Sequence, residues 1–344
     1  MMQFLAISEQ DPMWETLIAR AYSYDFYHTQ SYHNLEDGGK AVLAAVFSGE
    51  DFIAMPFIVR AIPDSDLFDC TSAYGYCGPV TSKPFDELPS GLANFFRESV
   101  IEWFASNRIV AAFSRLHPLI PHEVLSGFGS LRDVNHTVAI DLRLTPEEQY
   151  RQYRKSNKSE INQLRRNGFE VIEATDDAQV RAFAAIYNET MSRVNASKYY
   201  FFTYEYFRKF LDNRGYESRL MLATKDGTIS AGALFTYTGS IIQYHLAGTT
   251  AEFMRDTPMK LILDEVRRSA RADFRFLHLG GGVGGSDEDS LFRFKAGFSD
   301  FRCIFRTWQY IAQPERYEQL VNRRNPDRTS LFFPLYRAAP IKDV

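Results

Sequence analysis

The sequence predicts an α+β protein of two domains, and three observations carry that expectation. At 344 residues the chain exceeds what one hydrophobic core usually organises. Its second half runs through RLMLATK, TISAGALFTY and IIQYHLAGT, apolar stretches separated by DG and TGS, the pattern of an antiparallel meander. After the meander come a helix pattern, the short apolar run RFLHL, a second short helix and the strand CIFRTWQYIA. The first half follows a similar grammar. AVLAAVFSGEDFIAMPFIVRAI reads as a hairpin turning at Ser48 to Asp51, PFDELPSGLANFFRESVIEWFASN contains a helix, and IVAAFSRLHPL and HTVAIDL read as strands. A structural duplication is therefore expected.

Composition narrows the function classes. With 45% hydrophobic residues, 24% charged, 29 Phe and 19 Tyr, the chain can bury a large core, which excludes disorder. A net charge of -4 excludes a surface that binds polyanions throughout, so any polyanion site must be local. The start MMQFLAISEQDPMWETL lacks a basic segment followed by an apolar one, and no run approaches the ~18 apolar residues of a membrane span. A cytoplasmic protein is expected. Cys70, Cys77 and Cys303 have no C-x-x-C spacing, so they read as ordinary thiols and no metal site is indicated.

Two helix patterns bear on function. In TPMKLILDEVRRSARAD, Thr257 is placed to cap and Pro258 to occupy the first helical position. TPEEQYRQYRKSNKSEINQLRRNG reads as one helix or two short ones, ending at Gly168 before the strand FEVIEA. Tyr150, Tyr153, Ile161 and Leu164 share one stripe, and Arg151, Arg154, Lys155, Lys158, Arg165 and Arg166 the stripe beside it. Such a basic stripe is either a solvated face or a phosphate-binding ridge.

The segment LHLGGGVGGSDEDSLFRFKAGF poses a sharper question. Gly280, Gly282 and Gly285 have G-x-G-x-x-G spacing, but Asp287, Glu288 and Asp289 at the following helix start would repel a pyrophosphate. The segment also follows a meander and a helix, whereas a dinucleotide loop follows the first strand. Two readings remain. The glycines either serve a turn that needs positive φ, or form an active-site loop in which backbone at Gly282 approaches substrate. The short helix from about Asp289 to Ala296 puts Leu291, Phe294 and Phe298 on one stripe, with Lys295 expected at its rim.

This element order is similar to the GNAT acyltransferase fold, whose sheet splays open to hold an acyl donor. YHLAGT at Tyr244 to Thr249, the glycine loop and FKAGF at Phe294 to Phe298 resemble the second half of the FemABX family. The resemblance covers Arg151 to about Ile311 and is thinner before that, where SAYGYCGPV and FSRLHP look like first-domain segments. It implies two tandem GNAT-like domains, each a splayed mixed sheet flanked by helices, over 1–142 and 143–312, with 313–344 as a tail. It further implies transfer of an aminoacyl group from aminoacyl-tRNA to an amine of a peptidoglycan precursor.

Residue by residue, Phe294 and Lys295 match the family's Phe-Lys pair at the donor channel, where the lysine is linked to catalysis. Arg193 sits where the family has an arginine that binds the precursor, and Tyr244 matches a tyrosine lining the acceptor cleft. Leu246 stands where characterised members have a second tyrosine, and no first-domain lysine matches the one that binds the nucleotide precursor. Acetyl-CoA-dependent GNAT enzymes hold pyrophosphate with a loop like Q/R-x-x-G-x-G/A; here MRDTPMK offers Arg255 and Lys260 but no glycine.

The chemistry needs a neutral amine, a positioned ester or thioester, and stabilisation of a tetrahedral oxyanion. Lys295 supplies a cation beside the donor. His245, His278 and His117 are the candidate bases, with His245 on the same strand face as Gln243, His278 on the strand bordering the splay, and His117 facing the cleft between domains. Substrate contacts are expected from Phe294, Arg193, Tyr244, His278 and Gly282, and donor phosphate contacts from Arg154, Lys155, Lys158 and Arg255. No tightly bound cofactor is expected. The expected function is acyl transfer, from aminoacyl-tRNA or acyl-CoA, to an amine of an envelope precursor such as a UDP-linked sugar or peptide. The alternatives are acetyl-CoA-dependent N-acetylation of an amino sugar or nucleotide sugar for surface polysaccharide, and a catalytically idle binding module.

Overall fold

The computed structural model of the chain describes residues 1–283 and 288–339. Within these, unit 1 comprises Met1–Val134 and the chain from Ile304 onward, and unit 2 comprises Asn135–Cys303.

Unit 1 opens with β1 (Met2–Ser8), α1 (Met13–Ala19) and α2 (Gln30–His33). A hairpin of β2 (Lys40–Ser48) and β3 (Asp51–Ala61) follows, in register from Lys40↔Val59 to Ser48↔Asp51. Its turn needs Gly49, whose φ is 63°, where a side chain would be strained. β3 pairs antiparallel with β4 (Phe68–Thr71) and with the short β5 (Val80–Thr81). The crossover helix α3 (Leu92–Ser106) leads to β6 (Ile109–Arg115), which lies parallel to β4. Leu92, Phe96, Val100 and Phe104 recur every four residues along α3, so one face of the helix buries against Ile53, Met55 and Phe57. Trp14, Leu17 and Ile18 of α1 pack in a separate cluster with Leu43, Ala45, Phe52 and Ala54.

β7 (Ser130–Asp141) carries the chain into unit 2. There the order is α4 (Pro146–Arg151), α5 (Lys155–Arg166), β8 (Phe169–Glu173), α6 (Asp177–Arg193), α7 (Tyr204–Asp212), β9 (Glu217–Lys225), β10 (Thr228–Thr238), β11 (Ile241–Thr249), α8 (Met259–Arg268), β12 (Phe276–Gly280) and α9 (Ser290–Lys295). The meander β9-β10-β11 is antiparallel, with Asp226 and Gly227 both at positive φ in its first turn. β12 then joins β11 in parallel and β7 antiparallel. Finally β13 (Arg302–Ile311) returns to unit 1, pairing with β6 over Thr307–Ile311, and α10 (Pro314–Arg324) packs Tyr317, Leu320 and Val321 against Val110 and Ala111.

The strand orders are β1-β2-β3-β4-β6-β13 in unit 1 and β8-β9-β10-β11-β12-β7 in unit 2. They are the same order, with the last strands exchanged: β7 follows β6 in sequence but closes unit 2, and β13 follows β12 but closes unit 1. Residues after 312, expected as a tail, include α10 of unit 1.

The structure decides one local reading and corrects another. The basic segment forms two helices, because the chain breaks at Gln152 to Arg154 and Arg154 N–H donates to Gly297 O at 2.8 Å. α8 starts at Met259 with Pro258 at its cap position; Thr257 takes φ 57° and its hydroxyl donates to Glu160 at 3.0 Å instead of capping.

Unit 1 buries His28 and His33, and the Nε2 atom of each has no hydrogen-bond partner among the described residues. Burial lowers their pKa values to about 3 and about 4. Each ring is neutral when folded and gains a proton on unfolding below about pH 6.5. The unfolded state thus binds more protons, and stability falls with falling pH from about 6.5 towards 4. The thermal midpoint of the wild type should drop on acidification from pH 7 to pH 5, and His33→Gln should show a shallower drop. Equal slopes would contradict this account.

Candidate active site

The site in unit 2 begins where the sheet parts. β11 and β12 pair only at Ile241↔Phe276, Ile242↔Leu277 and Gln243↔His278, so Tyr244 to Thr249 continue beyond the ladder with β12. At that point β11 also carries a bulge: Tyr244 pairs with Phe235 and Leu246 with Leu234, leaving His245 as the extra residue. Tyr244 joins Ile242 in the core formed with Ile161 and Leu164 of α5 and Leu261 and Ile262 of α8. His245 turns to the other face and stacks on Phe210 of α7, ring centroids 5.1 Å apart and planes within 9°. Burial there lowers its pKa to about 3.

α9 brings Lys295 to the Tyr244 side. Asp289 caps this helix, its Oδ1 accepting from Leu291 N at 2.9 Å and Phe292 N at 3.0 Å, and it also accepts from Val283 N at 3.1 Å. One carboxylate thus joins the glycine loop to the helix. Gly282 is required beneath it, since a Cβ there would meet Asp289 Oδ1 at 2.3 Å. The cap sets the phase of the helix so that Phe292 and Lys295 are its buried residues while Leu291 is exposed. Lys295 is therefore inside the packed face and not at its rim, as the Leu291, Phe294 and Phe298 stripe had suggested. Its Nζ donates to Gly281 O at 2.7 Å and lies 5.7 Å from the Tyr244 ring centroid. Burial lowers its pKa to about 7, opposed by the Asp289 charge. Phe294 meets Phe298 edge to face at 5.6 Å, and Phe298 in turn meets Tyr153 at 5.0 Å. Residue Gly285 and the carboxylate of Asp287 lie outside the described residues.

The remaining candidates are dispersed. His278 pairs with Gln243, Nδ1 to Oε1 at 2.6 Å, and is buried. His117, expected to face a cleft, is buried in unit 1; Leu119 N donates to its Nδ1 at 3.2 Å and its Nε2 donates to Asp25 Oδ2 at 3.1 Å, so both nitrogens are engaged. Arg193 ends α6, where its Nη2 donates to Thr249 O at 2.8 Å and Thr190 Oγ1 at 3.2 Å, fastening the end of β11. In the basic ridge, Arg165 is paired with Asp264 at 2.6 Å, and Lys158 donates to Arg151 O at 3.0 Å while lying over the Tyr150 ring. Arg154, Lys155 and Arg255 are exposed. Sequence reasoning missed the joining role of Asp289, although an Asp directly before a helix is a capping signal.

No group of His, Cys, Asp and Glu suited to a metal occurs among the described residues, and no helix among them is long and apolar enough to cross a membrane. Residues 151–295 match the family model for the acetyltransferase (GNAT) domain. With the strand order repeated in the two units, the fold is a tandem GNAT fold. The fold is similar to that of FemX, whose crystal structure superposes with a TM-score of 0.72 at 13% identity, covering 92% of this chain and 99% of that one. A tandem GNAT protein from the clavulanic acid biosynthesis pathway gives 0.51 at 13% identity, covering 91% and 99%. L-PGS from Bacillus licheniformis gives 0.54 at 10% identity, covering 88% and 93%. No curated protein matches the sequence.

Because Asp289 caps α9 and ties down the loop, Asp289→Ala should destabilise the protein by about 1 kcal/mol or more, the usual cost of a lost cap. Gly282→Ala should do the same by displacing that carboxylate. Denaturant melts of both variants check this; wild-type midpoints would contradict it.

Proposed function

We propose that the chain transfers an aminoacyl group from aminoacyl-tRNA to an amine of a cell-envelope precursor, with Lys295 as the central catalytic residue. The observation that carries this reading is the buried Lys295 amine, held between Gly281 O and the Tyr244 ring at the parting of β11 and β12. The acceptor amine attacks the ester carbonyl; a C–N bond forms, the C–O bond breaks, and one ammonium proton must leave as the tRNA hydroxyl gains one. An amine titrating near neutrality can take the first proton and return it to the leaving oxygen, or stabilise the oxyanion while charged. Tyr244 and Phe294 line the path of the acyl group, and Arg193 fastens the end of β11 through Thr249 O. His245, stacked on Phe210 across the sheet, and His117, with both nitrogens bonded, are not assigned as bases.

The envelope acceptor rests on the FemABX resemblance and on the FemX fold. A second reading, N-acetylation from acetyl-CoA, is favoured by the acetyltransferase domain match over 151–295. Against it stands the start of α8, where Glu160 pairs with Lys260 and receives the Thr257 hydroxyl. A carboxylate there opposes a pyrophosphate.

Lys295→Met should lower turnover on the order of 10²-fold or more while leaving the fold intact. Turnover equal to wild type would remove Lys295 from the mechanism. Calorimetric titration with acetyl-CoA and with aminoacyl-tRNA separates the donors. Tighter binding of acetyl-CoA would overturn the tRNA assignment.

A further inference from the structure

Two helix starts in unit 2 could meet a donor's phosphates, and their surroundings differ. α8 begins beside the Glu160 carboxylate, which engages both Thr257 and Lys260. α5, a helix of twelve residues, begins with no side-chain cap and no acid in its first turn. Arg154, at its cap position, and Lys155, at its first position, are both exposed. Lys158 follows one turn later. The first amides of such a helix carry partial positive charge and need acceptors.

A second observation sits in the same turn. Asn157 is 3% exposed, and its Nδ2 has no acceptor among the described residues. A buried amide donor left unpaired is costly, which makes its persistence at this position informative. The Asn157 carboxamide packs directly on Gly297, where a Cβ would approach Nδ2 to 2.5 Å. Gly297 O in turn accepts from Arg154 N at 2.8 Å, so Asn157 lies in the notch between the first turn of α5 and the turn that follows α9. Gly297 belongs to FKAGF, two residues beyond Lys295.

We infer that the first turn of α5, with Arg154, Lys155, Asn157 and Lys158, is a phosphate-binding site for the donor, and that the start of α8 is not. The inference rests on the acyltransferase reading and names the group that the donor must present: a phosphate or phosphodiester. Its place beside Gly297 lets an anchored phosphate fix the donor relative to α9. The shared chemistry fits both the pyrophosphate of CoA and the backbone of a tRNA acceptor stem. Lys155 and Arg154 supply point and forked charge, and the helix amides with Asn157 Nδ2 supply directed donors.

The test measures dissociation constants of CoA and of uncharged tRNA for the full chain and its variants over a range of salt concentrations. Lys155→Gln lies on the surface and leaves the fold unstrained; Asn157→Asp puts a carboxylate in the notch at nearly constant shape. Both should weaken whichever donor binds by about tenfold or more, and Lys155→Gln should reduce the salt slope for tRNA by about one. Arg255→Gln, near the start of α8, should leave affinity unchanged. A thermal melt identifies any Asn157→Asp protein that is unfolded, in which case Lys155→Gln and Arg154→Gln decide. If a donor binds but ignores the α5 variants, or is lost with Arg255→Gln, the assignment to α5 is wrong while the acyltransferase reading stands. If neither CoA nor tRNA binds the wild type, the donor reading fails, and the α5 site with it.

Discussion

An amine withdrawn from water must be given acceptors by the protein or lose its charge, and much of unit 2 serves that one requirement at Lys295. The Gly281 carbonyl accepts its hydrogen bond, the Tyr244 ring faces it, and the Asp289 charge favours its protonated form. Each partner has its own structural origin. Gly281 is available because the chain leaves β12 through glycine, with Gly280 at φ 76°. Tyr244 is available because β11 leaves the ladder with β12 after Gln243. Asp289 is in range because Gly282 has no side chain to hold it off.

The bulge at His245 shows how one extra residue sorts candidate groups. Before it, Ile242 and Tyr244 join the core under α5 and α8; after it, Ala247 packs against the same core. The parity of the strand reverses after that residue; His245 itself lies against Phe210 while its neighbour Tyr244 meets Lys295. A strand read as simple alternation also puts His245 and Tyr244 on opposite faces, but only the contacts show which face holds Lys295. The exchange of β7 and β13 is a larger instance. Each unit's last strand directly follows the other unit's preceding one in sequence, so unit 2 is built from one continuous stretch while unit 1 is completed only by β13, after the whole of unit 2.

Much of the architecture was legible in the sequence because its signals are local. Turn residues at Gly49 and at Asp226-Gly227 delimit hairpins, apolar alternation marks β9 to β11, and the duplication shows in the order of elements. The exchanged strands were not legible, since HTVAIDL and CIFRTWQYIA can pair with either sheet and nothing nearby chooses. α6 carried an unused signal, the capping box of Asp176 with Gln179. For the site, Lys295, Tyr244 and Phe294 came from resemblance, and six residues of α9 are too few for periodicity to fix a face. LFRF offers apolar residues on several sides, and only the cap at Asp289 decides that Phe292 and Lys295 go in.

The protonation of one amine, that of Lys295, can be observed without any substrate. Reductive 13C-methylation followed by NMR titration reads individual lysines, and Lys295→Met identifies the resonance by its loss. The Lys295 amine should titrate near pH 7, about where burial places it, and lower still in Asp289→Asn. A Lys295 signal titrating near the ordinary lysine value of about 10.4, indifferent to Asp289, would contradict it.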